Sequence, residues 1–444
     1  MDADIIIIGG GAAGLMAAFG AASQAAARKA SAENAPAGKP VSVVVLEKMP
    51  RPGRKIMITG KGRCNYTNVK SWNDFAPHIR TNQGFMRAAF RNLTPETLIR
   101  FFNEHGLQTV IERGDRAYPA TYRASDVVDS LAAAAVKAGA NILQDKEVRT
   151  VREQQEAGFF IACQDGTEFT CKKLIIATGG LSYPATGSTG DGYDWAENMG
   201  HSLRPCFPSL TALVPEGYKT MPERMPKGTQ KGHIDRGIPL SDWGGSLCGC
   251  SLKNVEVTAY AGQNVLQSEF GDFDFTDGGI EGPIGFRLSR SCVKGLINGN
   301  NISLVIDLKP AVPKEELLAR ISSLGDLPVK VLLQKLLPGE LIAGFTASNP
   351  QVFSGKKLDA EALTKALKGW KLPIEGFVGY ERCVVTAGGV DTDELVPKTM
   401  QSKITDGLYF CGEVMDVDCD TGGYNLHCAF ATGLLAGQSA AKSL

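Results

Sequence analysis

The opening of this chain constrains its fold more than any other stretch. Four isoleucines at 5–8 run directly into Gly9-Gly10-Gly11-Ala12-Ala13-Gly14. A β-branched apolar run without polar alternation predicts a strand buried on both faces, as in a parallel sheet. Residues 12–29 are dominated by alanine, with Leu15, Met16 and Phe19 among them, and predict a helix. The small, polar, Pro- and Gly-containing stretch 31–40 predicts a surface loop, and residues 41–46 a second buried strand closing on Glu47. Strand, glycine turn, helix and strand make one βαβ unit.

Gly9, Gly11 and Gly14 stand in a G-x-G-x-x-G pattern between that strand and that helix. The first glycine permits the tight turn, the second lets backbone approach a pyrophosphate, and the third lets helix and strand pack closely. The free N–H groups at the helix start, with Ala12 and Ala13 in its first turn, favour the phosphates. The context on both sides is the one a dinucleotide site requires. Glu47, with Lys48 beside it, ends the second strand, where a carboxylate accepts hydrogen bonds from ribose hydroxyls. It stands 33 residues past Gly14 rather than the usual gap of about 20. The loop 31–40 accounts for most of the excess. A carboxylate there also repels a 2′-phosphate, which argues against NADP at this site.

At 444 residues the chain is too long for a single core, and two or three domains are expected. Lys plus Arg equals Asp plus Glu at 47 each, so no global charge steers the chain toward nucleic acid or anionic lipid. The eleven cysteines are scattered and only five histidines exist. Cys248-x-Cys250 lacks the spacing of zinc or dithiol motifs, so no metal site is expected. Free thiols in this number suit a reducing, cytoplasmic setting. No secretory signal is evident, and no apolar run reaches the ~18 residues of a membrane span. Nothing in the sequence indicates an oligomeric state.

Further along, a helix is expected over 125–138 and strands over 147–152, 159–164 and 168–177, with Asp165-Gly166 as a hairpin turn. The last strand empties into Ala177-Thr178-Gly179-Gly180. From 206 to 308 Pro and Gly are frequent, and runs such as 255–260 and 302–306 predict antiparallel strands. Residues 313–370 look helical, with 315–322, 329–337 and 359–367 as the helices. A buried strand returns at 407–411 and a closing helix at 426–441. This divides the chain into a dinucleotide-binding domain (1–205 and 385–444), a β-rich insertion (206–310 and 371–384) and a helical subdomain (311–370).

The C-terminal segment separates FAD from NAD. Gly407 to Glu413 is an apolar strand delivering the Gly412-Glu413 pair, glycine for close approach to a pyrophosphate and the acid for a sugar hydroxyl. Asp416, close behind, is expected among the cofactor-binding residues. Ten residues past Gly412, Gly422-Gly423-Tyr424-Asn425-Leu426 starts the last helix. A helix N-terminus facing the isoalloxazine C2 carbonyl stabilises negative charge on reduced flavin, typically by ~0.3–2 kcal/mol.

Four stretches carry a family resemblance: IIIIGGGAAGLMAA (5–18), PGRKIMITGKGRCNYTN (52–68), IIATGGLSYPATGSTGDGY (175–193) and VTAGGVDTDELVPKTMQSKITDGLYFCGEVMDVDCDTGGYNLHCAFATG (385–433). The chain resembles the bacterial flavoproteins that include aminoacetone oxidase-like and bile-acid 3-oxo-Δ4-steroid reductase-like proteins. The resemblance implies an α/β fold: a glutathione-reductase-type FAD-binding Rossmann domain with an inserted β-barrel domain and a helical subdomain. It also implies an FAD-dependent oxidoreductase. The chain departs from the family pattern at Cys419, where glycine is usual, and at His427, where glutamine is frequent.

In the polar stretch 55–68, Lys55 and Arg63 are expected at the cofactor's pyrophosphate or flavin carbonyls, with Thr59, Gly60 and Asn65 supplying short hydrogen bonds. Cys64 is counted with them among the cofactor-binding residues, its thiol read as structural rather than reactive. Ala177, Thr178, Gly179 and Gly180 are expected along the adenosine half or pyrophosphate, and Asp191 near the flavin. Gly423, Asn425 and Leu426 would meet the flavin. Tyr424 and His427 are the candidate acid–base groups. Three functions stay open. One passes hydride from NAD(P)H through flavin N5 to a small organic acceptor such as a conjugated enone. Another oxidises a small amine with O2. The third is a flavin- or nucleotide-binding protein without turnover. No second glycine fingerprint is visible, so NAD(P)H would dock transiently. The expected partner is a small-molecule substrate, with neither nucleic acid nor membrane.

Overall fold

A computed structural model describes residues 2–31, 40–154, 158–221, 231–354 and 358–444. The chain divides into two compact units, Met1–Cys206 with Val385–Leu444, and Phe207–Val384. Most of the loop predicted at 31–40 lies outside the described residues.

The first unit is built on a sheet whose parallel part runs Ala140–Leu143, Val43–Leu46, Asp2–Ile8, Glu168–Ile176. Leu408–Phe410 pairs in parallel with the end of Glu168–Ile176. Phe159–Cys163 and Val148–Glu153 continue the sheet antiparallel from its other half. Ile5, Ile6 and Ile7 have no solvent exposure, which is why an unbroken apolar run was required there. The helix Ala12–Ser31 follows the glycine turn and packs on the closing helix Tyr424–Lys442. Their small residues let the two axes come close: a Cβ on Gly433 or Gly437 would overlap the Ala13 or Ala17 carbonyl.

No element is predicted from sequence over 70–123, yet the structure places there the amphipathic helices Gln83–Asn92 and Pro95–Glu104 and the hairpin Thr109–Glu112/Arg116–Pro119. Phe85, Met86, Ala89 and Phe90 of the first helix are buried at helical spacing. The four-residue strand Ala140–Leu143, directly after the Gly139 cap, was likewise too short to show a period.

In the second unit six strands close into a barrel. Their order is Leu213–Pro215, Gly279–Glu281, Asn264–Thr276, Ser251–Ala261, Ile302–Asp307 and Trp370–Val378, which returns to Leu213–Pro215. The β texture expected over 206–308 is interrupted by the helix Gly282–Ile297, whose Ile284, Leu288, Cys292, Val293 and Leu296 are buried. The helices Lys314–Ser323, Val329–Leu336, Ile342–Ser348 and Ala360–Lys368 complete the unit. Leu317, Leu332, Phe345 and Leu363 share one apolar cluster with Phe273, Phe275 and Trp370 of the barrel.

Candidate functional site

At the glycine loop Gly9 and Gly14 each have a steric reason of their own. Gly9 has φ of 103°, and a Cβ there would stand 2.5 Å from the Ala177 carbonyl oxygen. A Cβ on Gly14 would overlap the Gly9 carbonyl, while at Gly11 nothing lies within 4 Å. Ala12 and Ala13 open the helix, and the bond from Leu15 N–H to the Gly11 carbonyl (2.9 Å) is in its first turn. The N–H groups ahead of it have no intrahelical acceptor. Glu47 is buried against this loop. Its Oε2 accepts from Gly10 N–H and its Oε1 from Met49 N–H, both at 2.8 Å. Burial pushes its carboxyl up, against the pull of those two N–H groups and of Lys48 and Arg54. Lys48 itself reaches Asp191 at 2.7 Å, so these two predicted residues meet at the start of the helix Asp191–Asn198.

The turn 177–180 links this end to Glu413. Ala177 N–H bonds the Ile8 carbonyl at 2.9 Å. Gly179 has Ser188 and Lys55 as neighbours, and a Cβ on Gly180 would stand 2.5 Å from Thr386 Oγ1 and 3.1 Å from Glu413 Oε1. Gly412 fits against Ala13, 2.7 Å from where its Cβ would be. Glu413 is the centre of a polar network: Oε2 accepts from Lys55 Nζ at 2.9 Å, and Oε1 from Ser182 Oγ at 2.7 Å and Thr386 N–H at 2.8 Å. Lys55 also donates to Ser182 Oγ at 2.9 Å. Burial alone would raise the Glu413 carboxyl, but the Lys55 ammonium and the Thr386 and Ser182 donors outweigh it and hold the group below its ordinary value. Lys55 and Glu413, predicted separately, are thus one ion pair. Ser182 and Thr386 are additions from the structure; they lie inside the quoted stretches but no local spacing marks them.

Gly423 caps the closing helix, and Tyr424, Asn425 and Leu426 form its first turn. The Asn425 side chain bonds the backbone of the preceding loop. Its Oδ1 accepts from Cys419 N–H and its Nδ2 donates to the Cys419 carbonyl, both at 2.9 Å. Asp416 accepts from Asn82 Nδ2 through its backbone carbonyl at 2.8 Å. Tyr424 is buried, with His78 stacked on its ring at 4.3 Å and Phe75 edge-on; burial raises its phenol, with Asp420 adding to it. His78 pairs with Asp420 at 2.9 Å, and Arg80 holds the same carboxylate with two nitrogens. Sequence reasoning assigned nothing to His78, because only the fold brings it to Tyr424.

The structure speaks against an acid–base role for His427. The ring has no exposure, Nδ1 bonds Thr67 Oγ1 at 2.8 Å, and Phe75 and Phe90 flank it. Burial pulls its pKa down to about 3, opposed by the Leu93 backbone, so the imidazole is neutral. Cys64 is fully buried with its thiol pushed up to about 12 by burial, as befits a structural cysteine. Thr59 Oγ1 donates to the Ile56 carbonyl at 2.6 Å and Gly60 belongs to the same short turn. Arg63 lies 4.9 Å from the Tyr118 ring centre and 5.8 Å from that of Tyr122, with Glu112 at 3.6 Å.

The arrangement fits an extended dinucleotide on two observations. Space is open at Gly11 beside the free helix N–H groups. Thr178 Oγ1 and Asn65 Oδ1, on the turn and beside Gly423, are buried without a hydrogen-bond partner among the described residues. Among those residues no group of His, Cys, Asp and Glu is arranged to hold a metal, and no helix is long and apolar enough to cross a membrane.

Comparison with known proteins adds to this geometry. Residues 3–439 match the family described as HI0933-like protein Rossmann domain. The chain is 31% identical to a 3-dehydro-bile acid delta(4,6)-reductase of Clostridium scindens over 98% of both chains. It is 32% identical to a protein of Haemophilus influenzae named ribosomal RNA dihydrouridine synthase, over 96% of both. A solved structure of 3-ketosteroid delta1-dehydrogenase from Sterolibacterium denitrificans superimposes with a TM-score of 0.51 at 13% identity, covering all of both chains. That likeness concerns the fold alone.

Proposed function

The chain belongs to the HI0933-like Rossmann-domain family, and from this premise we propose that it is an FAD-dependent reductase of carbon–carbon double bonds conjugated to a carbonyl. When bound, FAD supplies hydride transfer at N5, with NAD(P)H as the transient donor and a small enone as acceptor. The helix N-terminus behind Gly11 holds the diphosphate, and Glu47 and Glu413 accept hydrogen bonds from sugar hydroxyls at either end. The first turn of the closing helix, Tyr424 to Leu426, offers N–H groups to the flavin carbonyls. Tyr424 keeps a protonated phenol at neutral pH, a proton source for the carbon next to the carbonyl. The carrying observation is Glu413 held ionised by Lys55 at 2.9 Å and packed against Gly180.

The relatives' names support the reaction class. A 3-oxo-Δ4,6 system is a conjugated dienone, and dihydrouridine is uridine with the double bond conjugated to its C4 carbonyl saturated. Saturating a bond of this kind calls for hydride at its far carbon, the chemistry a reduced flavin supplies. A second reading, a uracil base of RNA as acceptor, has its own support. Between 48 and 123 there are fourteen Lys and Arg against five Asp and Glu, a local surplus that the neutral total conceals. Arg54, Lys61, Arg87, Arg91, Arg100 and Arg113 of this segment are exposed. Tyr122, exposed beside Arg63, offers a stacking face of the kind that holds single-stranded bases.

The test is an anaerobic titration of the purified, FAD-reconstituted protein. Bleaching by NADH or NADPH, then recovery of the flavin spectrum on adding a 3-oxo-Δ4 steroid, is the expected result. Recovery with uridine-containing RNA and not with steroid transfers the proposal to the second reading. Bleaching by a small amine instead of NAD(P)H, or no flavin spectrum after reconstitution, sinks it.

A further inference from the structure

Beside the start of the closing helix sits a pair of thiols that the proposed reaction does not use. Cys419 and Cys428 bring their Sγ atoms to 3.6 Å, and both side chains are buried. All eleven cysteines are free thiols. The contact is fixed by backbone on both sides. Asn425 grips the Cys419 N–H and carbonyl at 2.9 Å each, and also bonds the Asp420 carbonyl at 3.1 Å. Asn425 and Cys428 are three residues apart on one helix and so share a face. The amide clamp therefore holds Cys419 over Cys428. From the opposite side, Arg80 N–H bonds the Asp418 carbonyl at 2.8 Å and Asp420 N–H bonds the His78 carbonyl at 2.9 Å.

We infer that Cys419 and Cys428 are a disulfide-forming pair, a modification site that cross-links the acid-rich loop 416–420 to the closing helix under oxidation by peroxide. From 3.6 Å the sulfurs need to approach by roughly 1.5 Å to reach the bond length of about 2.05 Å. One thiol attacks the peroxide O–O bond, giving a sulfenic acid and one water. The second thiol attacks that sulfur, forming the S–S bond and releasing a second water. Two electrons leave the thiols, and hydrogen peroxide is reduced to two waters that carry both thiol protons.

Burial, then Cys428 and the carboxylates of Asp418 and Asp420, keep the Cys419 thiol protonated well above neutral pH. The thiolate is the reactive form, so the pair answers slowly. Its environment admits a small oxidant in preference to a bulky disulfide. The cross-link spans Asn425, and so fixes the helix turn proposed to face the flavin; its formation does not depend on what that turn binds.

The experiment uses the purified full chain, with and without FAD, exposed to hydrogen peroxide and then denatured for thiol titration. Eleven thiols are expected to fall to nine. Chymotryptic cleavage after Tyr424 should leave the fragments bearing Cys419 and Cys428 joined until reductant is added. C419S and C428S should each retain all ten remaining thiols under the same exposure. The idea is overturned if wild type keeps all its thiols, if single cysteines go to sulfinic acid instead, or if the joined fragments contain another pair. Because the fragment map is read on wild type, misfolding of a serine variant does not rescue the proposal.

Discussion

The two ends of the proposed FAD cradle each present a carboxylate just past a parallel strand, and they are built in opposite ways. Glu47 is held by backbone N–H groups of Gly10 and Met49, and its burial raises the carboxyl. Glu413 is held mainly by side chains from distant segments, Lys55 and Ser182, with the Thr386 N–H, and despite burial it is held low. Identical residue types in like sequence settings thus acquire opposite electrostatics. An acid held by dipoles tolerates loss of charge, whereas an acid matched to a cation does not.

The strongest way to break this contrast is Lys55→Met. It strands a largely buried carboxylate, and unfolding stability should fall by about 3 kcal/mol, toward the low end for a broken buried pair because both groups retain some exposure. The sign with pH follows from the lowered Glu413. Its contribution is present above the carboxylate's ordinary 4.5 and is lost as pH falls through the lowered folded value. Urea unfolding at pH 7 and pH 4 should therefore show a larger penalty for the variant at pH 7. Equal penalties would mean the pair is electrostatically idle.

Next in size is Gly14→Val at the other end. Its side chain meets the Gly9 carbonyl, which is backbone and cannot step aside. A loss of about 2 kcal/mol should accompany loss of FAD retention in a fluorescence titration. Retained FAD would separate the glycine loop from cofactor binding.

Asn425→Ala releases the Cys419 backbone, with an expected cost of about 1–2 kcal/mol for the stranded N–H and carbonyl. Faster hydrogen exchange should be confined to residues around 416–420. Exchange unchanged there would show that Arg80 and His78 suffice to hold the loop.

The smallest stability effect is predicted for Glu47→Gln, within about 1 kcal/mol, since one amide oxygen still accepts a backbone N–H. The raised carboxyl makes ionised Glu47 a cost that grows as pH rises through 4.5 toward its folded value. Wild type, not the variant, should lose stability across that window. FAD affinity should nonetheless drop about tenfold, or ~1.4 kcal/mol. A stability loss matching that of Lys55→Met would erase the contrast.

These predictions also trace what was legible. The glycine-loop end was readable because its parts are short-range and have few solutions. Only glycine survives at Gly9 and Gly14, and an unbroken isoleucine run cannot face water. Even the unusual gap to Glu47 did not hide it, since the strand Val43–Leu46 leads straight to it. The Gly412-Glu413 pair was found for the same reason, as the residues just past a buried strand.

His427 shows where local reasoning stopped. A histidine in the first turn of a helix reads as an acid–base group. The partner that makes it structural, Thr67, is 360 residues away, and nothing in the helix sequence announces Phe75 and Phe90. His78 was passed over for the mirror-image reason. Asn425 was read as part of the helix start expected at the flavin; that its side-chain amide holds Cys419 could not be read from the sequence.

By itself, then, the sequence determined the βαβ opening, the glycine loop, the strand-end acids and the start of the closing helix. Each follows from sterics or burial acting within a few residues. The tertiary structure alone decided which of the two acids carries a cation, which histidine is neutral, and which two of eleven thiols touch. Charge state and thiol contact depend on what surrounds a group in three dimensions: Lys55 comes to Glu413 across 358 residues and Thr67 to His427 across 360, while Cys419 and Cys428, nine residues apart, meet only because the loop folds back on the helix.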